Sequence, residues 1–235
     1  MIKLLFNFLI FPGFLFTAVA GLIASWIDRK VTARVQWRVG PPWYQPLVDL
    51  MKLSIKEITV PRSASKGLFF LSPMIGLSAV TLVSTLIWLA NIGSSSKGFS
   101  GDIIVIMYLL TLPAIAIILG ASASGNPLAS LGASREIKLV MAYELPFIIC
   151  LIVPVIKSHG LLKLSEIINY QVVNGSFIAS FSGIIAFIVM IFCMQAKLGL
   201  VPFDASEAET EIMGGVLIEY SGILLAIFKL TKTML

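Results

Sequence analysis

Long apolar runs alternate with shorter polar segments along this chain, and that rhythm sets the first expectations. The first run, about residues 4–26, is long enough for a hydrocarbon core of roughly 30 Å and stops at Asp28-Arg29-Lys30. Further runs cover about residues 68–91, 103–123 (with Pro113 inside it), 139–156 and 176–196, and a last one starts near Gly215. The pattern predicts an all-α polytopic membrane protein with about six transmembrane helices. Residues 27–67 form the longest polar segment. Its apolar positions, Val31 and Val35 and then Leu47, Leu50 and Met51, are spaced as on amphipathic surface helices and not as on a span. Between them lies GPPWYQP, residues 40–46, where three prolines remove backbone donors and break the helix. A shorter amphipathic piece is expected at 161–168. The reading is one membrane domain over 1–235, with polar loops at 27–67 and 197–214.

Composition agrees with this picture. The chain has 235 residues, 58% of them hydrophobic and 12% charged, with a mean hydropathy of +0.99. Soluble globular chains average about 25% charged. Eight of the 17 basic residues fall in 27–67, so the net charge of +5 reads as a membrane-side cluster and not as a nucleic-acid surface. Loops after the first, third and fifth runs hold eight, two and one basic residues. The opposite side holds Lys3, Lys97, Lys157 and Lys163. This bias predicts a cytoplasmic 27–67 loop and an N-terminus outside. Lys229 and Lys232 are expected to snorkel from the last run. The N-terminal run lacks a cleavage motif and is read as a retained span. Cys150 and Cys193 both lie in apolar runs and are read as packing residues. With two cysteines and one histidine, no metal, haem or cluster site is visible, and this chain is expected to bind no cofactor itself.

The candidate chemistry is carboxylate chemistry. VPFDASEAETEIMGGVLIEYSG, residues 201–222, places Asp204, Glu207, Glu209, Glu211 and Glu219 at the edge of an apolar run. Projected as a helix at about 100° per residue, Glu207, Glu211 and Glu219 fall near 0°, 40° and 120°, with Gly215 and Gly222 inside the same arc. Glu209, at about 200°, points away. Acids that suit the positive end of a helix dipole would account for Glu207, Glu209 and Glu211 but not for Glu219, two turns further in. Glu144 lies in YELP within the fourth run, where Pro146 leaves a carbonyl without its donor. Glu136 lies beside Arg135 near the same membrane edge, in a loop that also carries Lys138. Acids inside spans are costly and tend to be functional. Glu136, Glu144, Glu207, Glu211 and Glu219 therefore make a candidate proton path, with Glu219 or Glu144 expected to titrate during turnover. No nucleophile with its base, phosphate loop or nucleotide fingerprint is present. The basic loop admits contact with anionic lipid. It also admits docking of a soluble partner through Arg34, Arg38, Trp43, Tyr44 and Asp49, which better explains a rigid aromatic turn.

Three segments resemble a known family: RVGPPWYQPLVDLMKL (38–53), NPLASLGASREIKLVMAYELP (126–146) and PFDASEAETEIMGGVLIEYSG (202–222). They are similar to the membrane heel subunit of respiratory complex I and to its counterpart in membrane-bound, energy-converting nickel–iron hydrogenases. The resemblance implies a subunit that joins a soluble electron-transfer arm to a membrane arm that moves protons or sodium ions. It implies partners too: an iron–sulfur small subunit, a hydrogenase-like large subunit and antiporter-like membrane subunits. Iron–sulfur clusters and a nickel–iron centre, or flavin or quinone, would then sit in those partners. GPPWYQP is short, as in the hydrogenase branch, whereas quinone-reducing relatives carry a longer insertion there. The family has about eight spans, and the later ones have no counterpart in these residues. The favoured reading is a hydrogenase-type or sulfur-reducing complex. The alternatives are the quinone-site subunit of a quinone-reducing complex and a stand-alone ion transporter, although no paired broken helices mark the latter.

Overall fold

A computed structural model describes residues 2–92 and 98–235, with the side chains of residues 2–4 and of Glu209 outside the described atoms. Lys97, counted above for orientation, also lies outside the described residues. Among the described residues all regular structure is helical.

Two helices, α1 (Ile2–Leu9) and α2 (Phe14–Val35), meet at a break around Pro12 and together give an apolar stretch of 31 residues, Leu5–Val35. Pro12 is fully buried, and its carbonyl accepts from Ser84 Oγ at 3.0 Å. The expected stop at Asp28-Arg29-Lys30 is wrong. Lysine and arginine are good helix formers, and α2 continues through them to Val35. The chain then turns through GPPWYQP into α3 (Gln45–Ile55). Trp26 Nε1 donates to Pro41 O at 3.1 Å, and Gly40 is buried against Lys30, so this turn folds back onto α2.

Then come α4 (Lys66–Ile92), α5 (Asp102–Leu109), α6 (Leu112–Ala123) and α7 (Pro127–Lys157). The third run is two helices, not one, because Pro113 starts a new helix at α6. Arg135, Glu136 and Lys138, expected in a loop, lie inside α7. That helix starts at Pro127 with the Asn126 side chain accepting from Leu128 N at 2.8 Å. The surface helix α8 (Leu164–Asn174) leads through a 3-10 turn, Phe177–Ala179, to α9 (Phe181–Lys197).

The acidic stretch departs most from expectation. It is not one helix. A loop carries Glu207, a single turn α10 (Glu209–Ile212) follows, and Met213 and Gly214 then adopt left-handed backbone. A 3-10 turn at Gly215–Leu217 precedes α11 (Gly222–Met234). Gly215 has φ +47° and lies against Ser206 O, where any side chain would collide.

Among the described residues, four stretches are long and apolar enough to cross a membrane: Leu5–Val35, Lys66–Ile92, Asp102–Ala123 and Pro127–Lys157. Phe181–Lys197, at 17 residues, sits at the short limit for a span. The last helix, α11, holds 13 residues, about 20 Å, of the sixth expected span. The exterior of α7 supports the membrane reading. Met141, Leu145, Ile149, Ile152 and Ile156 form an exposed apolar stripe, while Glu136, Tyr143, Phe147 and Cys150 face inward. This inside-out pattern suits a lipid solvent.

Tyr220 anchors the core. Its ring stacks on Phe69 at 4.2 Å, and its hydroxyl lies 3.0 Å from Ser72 Oγ and donates to Phe69 O at 3.2 Å. Leu224, Phe228 and Ala116 pack around it, joining α4, α6 and α11. A second cluster of small residues, Ala121, Ala129 and Ala133, closes on Val216. Gly132 there touches the backbone of Gly215 and Val216, so α7 meets the acidic stretch without intervening side chains.

Candidate functional site

The inward face of α7 positions the site. Glu136 and Tyr143 are seven residues apart, two turns along one helix, and so share a face. Both are buried. Glu144 follows immediately, one residue around the helix. The close approach at Gly132 brings the 199–208 loop over the start of this row. Ser206 hydrogen-bonds the Glu136 carboxyl there, with Glu207 and Lys232 as its nearest charges. Lys232 Nζ donates to Glu207 Oε2 at 2.8 Å. Lys232, expected to snorkel outward, pairs instead with a half-buried glutamate and is itself 30% exposed.

At the far end of the row, Glu144 Oε2 lies 3.5 Å from Lys197 Nζ, an ion pair longer than a direct hydrogen bond. The Lys197 side chain is only 6% exposed. Its ammonium lies 4.2 Å from the centre of the Phe147 ring and 5.4 Å from that of Tyr143, and it donates to Leu110 O at 3.3 Å. The charges of Glu136 and Glu144 both act on the Tyr143 hydroxyl, which has no hydrogen-bond partner among the described residues. The result is a row of ionisable groups: Glu207 with Lys232, then Glu136, Tyr143, Glu144 and Lys197. A buried charge is tolerated only when paired, and proton movement along such a row changes which members are paired.

Two of the five predicted glutamates stand apart. Glu211 pairs with Arg135 at 2.5 Å but is 61% exposed. Glu219 accepts from Asn126 Nδ2 at 2.5 Å, at the start of α7. Because the acidic stretch is bent at Met213–Gly215, Glu207, Glu211 and Glu219 do not share a helix face, and the projection that groups them fails. The contrast drawn with Glu209 falls with it, and that side chain lies outside the described residues. Three residues of the row escape the sequence reading. Lys197 and Lys232 count there only as loop or surface cations, and Tyr143 is overshadowed by Glu144. A lysine within an apolar helix is the available signal.

The predicted docking residues cluster at the turn after α2. Arg34 and Arg38 are exposed. Trp43 is 74% exposed and packs edge-to-face on Tyr44 at 5.8 Å. Trp37 and Val39 are almost wholly exposed beside them. Asp49 points elsewhere: it accepts from Arg29 Nη1 and Gln45 Nε2, each at 2.9 Å, and ties α3 to α2. Burial pushes its carboxyl up, but these donors outweigh that and hold it below the usual carboxylate range. Among the described residues, no group of three or more His, Cys, Asp or Glu gathers to hold a metal ion.

A helical bundle that is apolar outside and carries an ionisable row inside defines the class: a polytopic membrane protein. The chain belongs to the NADH dehydrogenase family, whose profile matches residues 6–235. It is 32% identical over 237 residues to the H subunit of NADH-quinone oxidoreductase from Dehalococcoides mccartyi (strain CBDB1), covering 98% of this chain and 65% of that protein. It is 34% identical over 242 residues to the corresponding protein of Bacillus thuringiensis (strain Al Hakam), covering 96% and 70%. The chain thus spans just under two thirds of the length of the first of these relatives. Its fold matches a chain in the structure of the membrane-bound sulfane sulfur reductase, an archaeal respiratory membrane complex. The TM-score is 0.83 at 28% identity, over 94% of this chain and 71% of the other.

Proposed function

We propose that this chain is the membrane coupling subunit of a complex-I-like oxidoreductase, linking electron transfer in a soluble arm to proton or sodium translocation. The observation that carries the reading is the row along α7, half-buried at Glu207–Lys232 and buried at Glu136 and Tyr143, that ends at Glu144 and the buried Lys197 side chain. A structural subunit gains nothing from several ionisable groups inside an apolar bundle, and their cost points to use. Among branches of the family, the sulfur-reducing and hydrogenase types are favoured. The short GPPWYQP turn supports this, as does the likeness to the sulfane sulfur reductase. Iron–sulfur clusters and any nickel–iron centre or flavin then belong to partner subunits docked on the turn after α2. In this reading that turn is cytoplasmic and the N-terminus lies outside.

A quinone-reducing role is the second reading. The names of the relatives favour it, as does a crevice of about 290 Å³ between α2, α3 and α11, bordered by Ser25, Arg29, Asp49 and Thr233.

The test is ion uptake by vesicles that hold the whole complex, scored per electron transferred in the same sample. Glu136→Gln and Glu144→Gln keep hydrogen-bonding capacity but carry no acid proton. Each is expected to cut uptake per electron at least about tenfold while the complex still assembles. An unchanged ratio in both variants defeats the proton-path reading.

A further inference from the structure

Lys197 occupies a position that a simple counter-charge does not need. It touches three elements at once: Glu144 on α7, the Leu110 carbonyl at the break between α5 and α6, and the Phe147 ring. The ion pair at 3.5 Å leaves the Glu144 oxygen without a direct hydrogen bond. The ammonium also has space beside it. It lines a cavity of about 530 Å³ bounded by Leu110, Phe147, Met194 and Leu198, among other apolar residues. A close-packed interior would lock the side chain in place, whereas here there is room to swing. The Leu110 carbonyl and the Phe147 face, which the ammonium already touches, would remain its partners if it drew back from Glu144.

We propose that Lys197 is a positioning residue that gates Glu144. While the ammonium stands beside it, Glu144 stays ionised. When the ammonium draws back from Glu144 toward the cavity, keeping the Leu110 carbonyl and the Phe147 face as its partners, Glu144 takes one proton and becomes a neutral acid, and Lys197 keeps its own protons throughout. The other titratable groups facing this pair are Tyr143 on α7 and Cys193 on α9, with Glu136 acting on Tyr143 from two turns away. Neither Tyr143 nor Cys193 supplies a second positive charge, so removing Lys197 leaves Glu144 with no local cation among the described residues.

The inference rests on the proton-path reading, and the two can fail separately. The test is infrared difference spectroscopy of the whole complex in membranes, titrated with pH. The carboxylic-acid C=O band that disappears in Glu144→Gln reports protonated Glu144. In Lys197→Met this band is expected to persist to a pH about one to three units higher than in the unsubstituted protein, because a cation within ion-pair distance favours the charged form. Lys197→Arg, which keeps the charge, is expected to leave the midpoint near its original value. A purely structural lysine would change assembly but not this midpoint. If Lys197→Met does not insert, Lys197→Gln, which keeps a donor for Leu110, serves as the neutral variant. If neither inserts, a displaced midpoint in Lys197→Arg overturns the gate. So does an unmoved or lowered midpoint in either neutral variant. Loss of the gate with Glu144→Gln still impairing ion uptake leaves the path standing. An unimpaired Glu144→Gln with a shifted band defeats the path and not the electrostatics.

Discussion

Tyr220 shows how much one side chain holds in a bundle whose exterior has no solvent to push against. Its ring stacks on Phe69 and meets Phe228 edge-to-face at 4.8 Å, and its hydroxyl satisfies two groups on α4. Tyr220→Phe keeps the stack and strips the hydroxyl, so a loss of about 1–2 kcal/mol is expected. Tyr220→Ala also leaves a cavity and should cost about 3–5 kcal/mol. Thermal unfolding of the purified protein in detergent would rank the two, and equal losses would show that the stack contributes nothing. At this scale the sequence is only partly legible. Glu136 and Glu144 can be picked out because acids are rare in apolar runs. Lys197 and Lys232 cannot be placed, because a lysine near the end of a run looks the same whether it snorkels outward or turns in to meet a glutamate. Only the bend at Met213–Gly215, which brings the 199–208 loop over α7, decides between them.

At the scale of elements, hydropathy locates the long helices well and their ends poorly. Runs stop being apolar before helices stop being helical, so α2 and α7 extend through charged turns that hydropathy assigns to loops. The acidic stretch fails for the opposite reason. On projection its adjacent glycines, Gly214 and Gly215, continue a helix, yet two glycines together are a signal for left-handed backbone. The α2–α3 hairpin gives a prediction of its own. Asp49 is held below its ordinary value of 3.8 by Arg29 and Gln45. A carboxyl depressed in the folded state adds stability above its unfolded pKa and loses it as pH falls through the folded value. Both partners are partly exposed, so the contribution should be under about 1 kcal/mol. Asp49→Asn should remove that increment at neutral pH and flatten the stability profile below pH 3.8. A profile as steep as that of the unsubstituted protein would assign the acid limb to other carboxylates.

At the scale of the whole molecule, sidedness and assembly can each be tested directly. Both native thiols, Cys150 and Cys193, are buried, so a single introduced cysteine can report sidedness. Ser65 and Asn174 are exposed near opposite ends of the bundle. In intact cells an impermeant maleimide is expected to label Asn174→Cys and spare Ser65→Cys. The reverse pattern inverts the proposed orientation. Ser95, the natural alternative on the outer side, lies outside the described residues. The exposed turn gives the matching test of assembly. Replacing Trp43 and Arg38 together with alanine should release the soluble arm into the supernatant while the membrane arm remains inserted. Retention of the arm at its original affinity would move the docking surface elsewhere.

The unbroken run of α7 has a consequence for what mutation can do to this protein. The helix holds 31 residues, about 46 Å, and its Pro146 and Pro154 do not interrupt it. Glu136 and Tyr143 therefore share one rotational phase, with Glu144 about 100° around from Tyr143, all fixed at the start by Asn126. Deleting a single residue between Glu136 and Tyr143 would leave Glu136 in place and turn everything beyond it by about 100°. Tyr143 would swing off the inner face to the direction Ala142 now takes, Glu144 would turn into the place of Tyr143 and away from its present direction, and Leu145 of the oily stripe would follow into the place of Glu144. Substitutions change this row one member at a time, whereas a shift in length scrambles it all at once. In this family, then, length variation should gather in the loops and spare this rod.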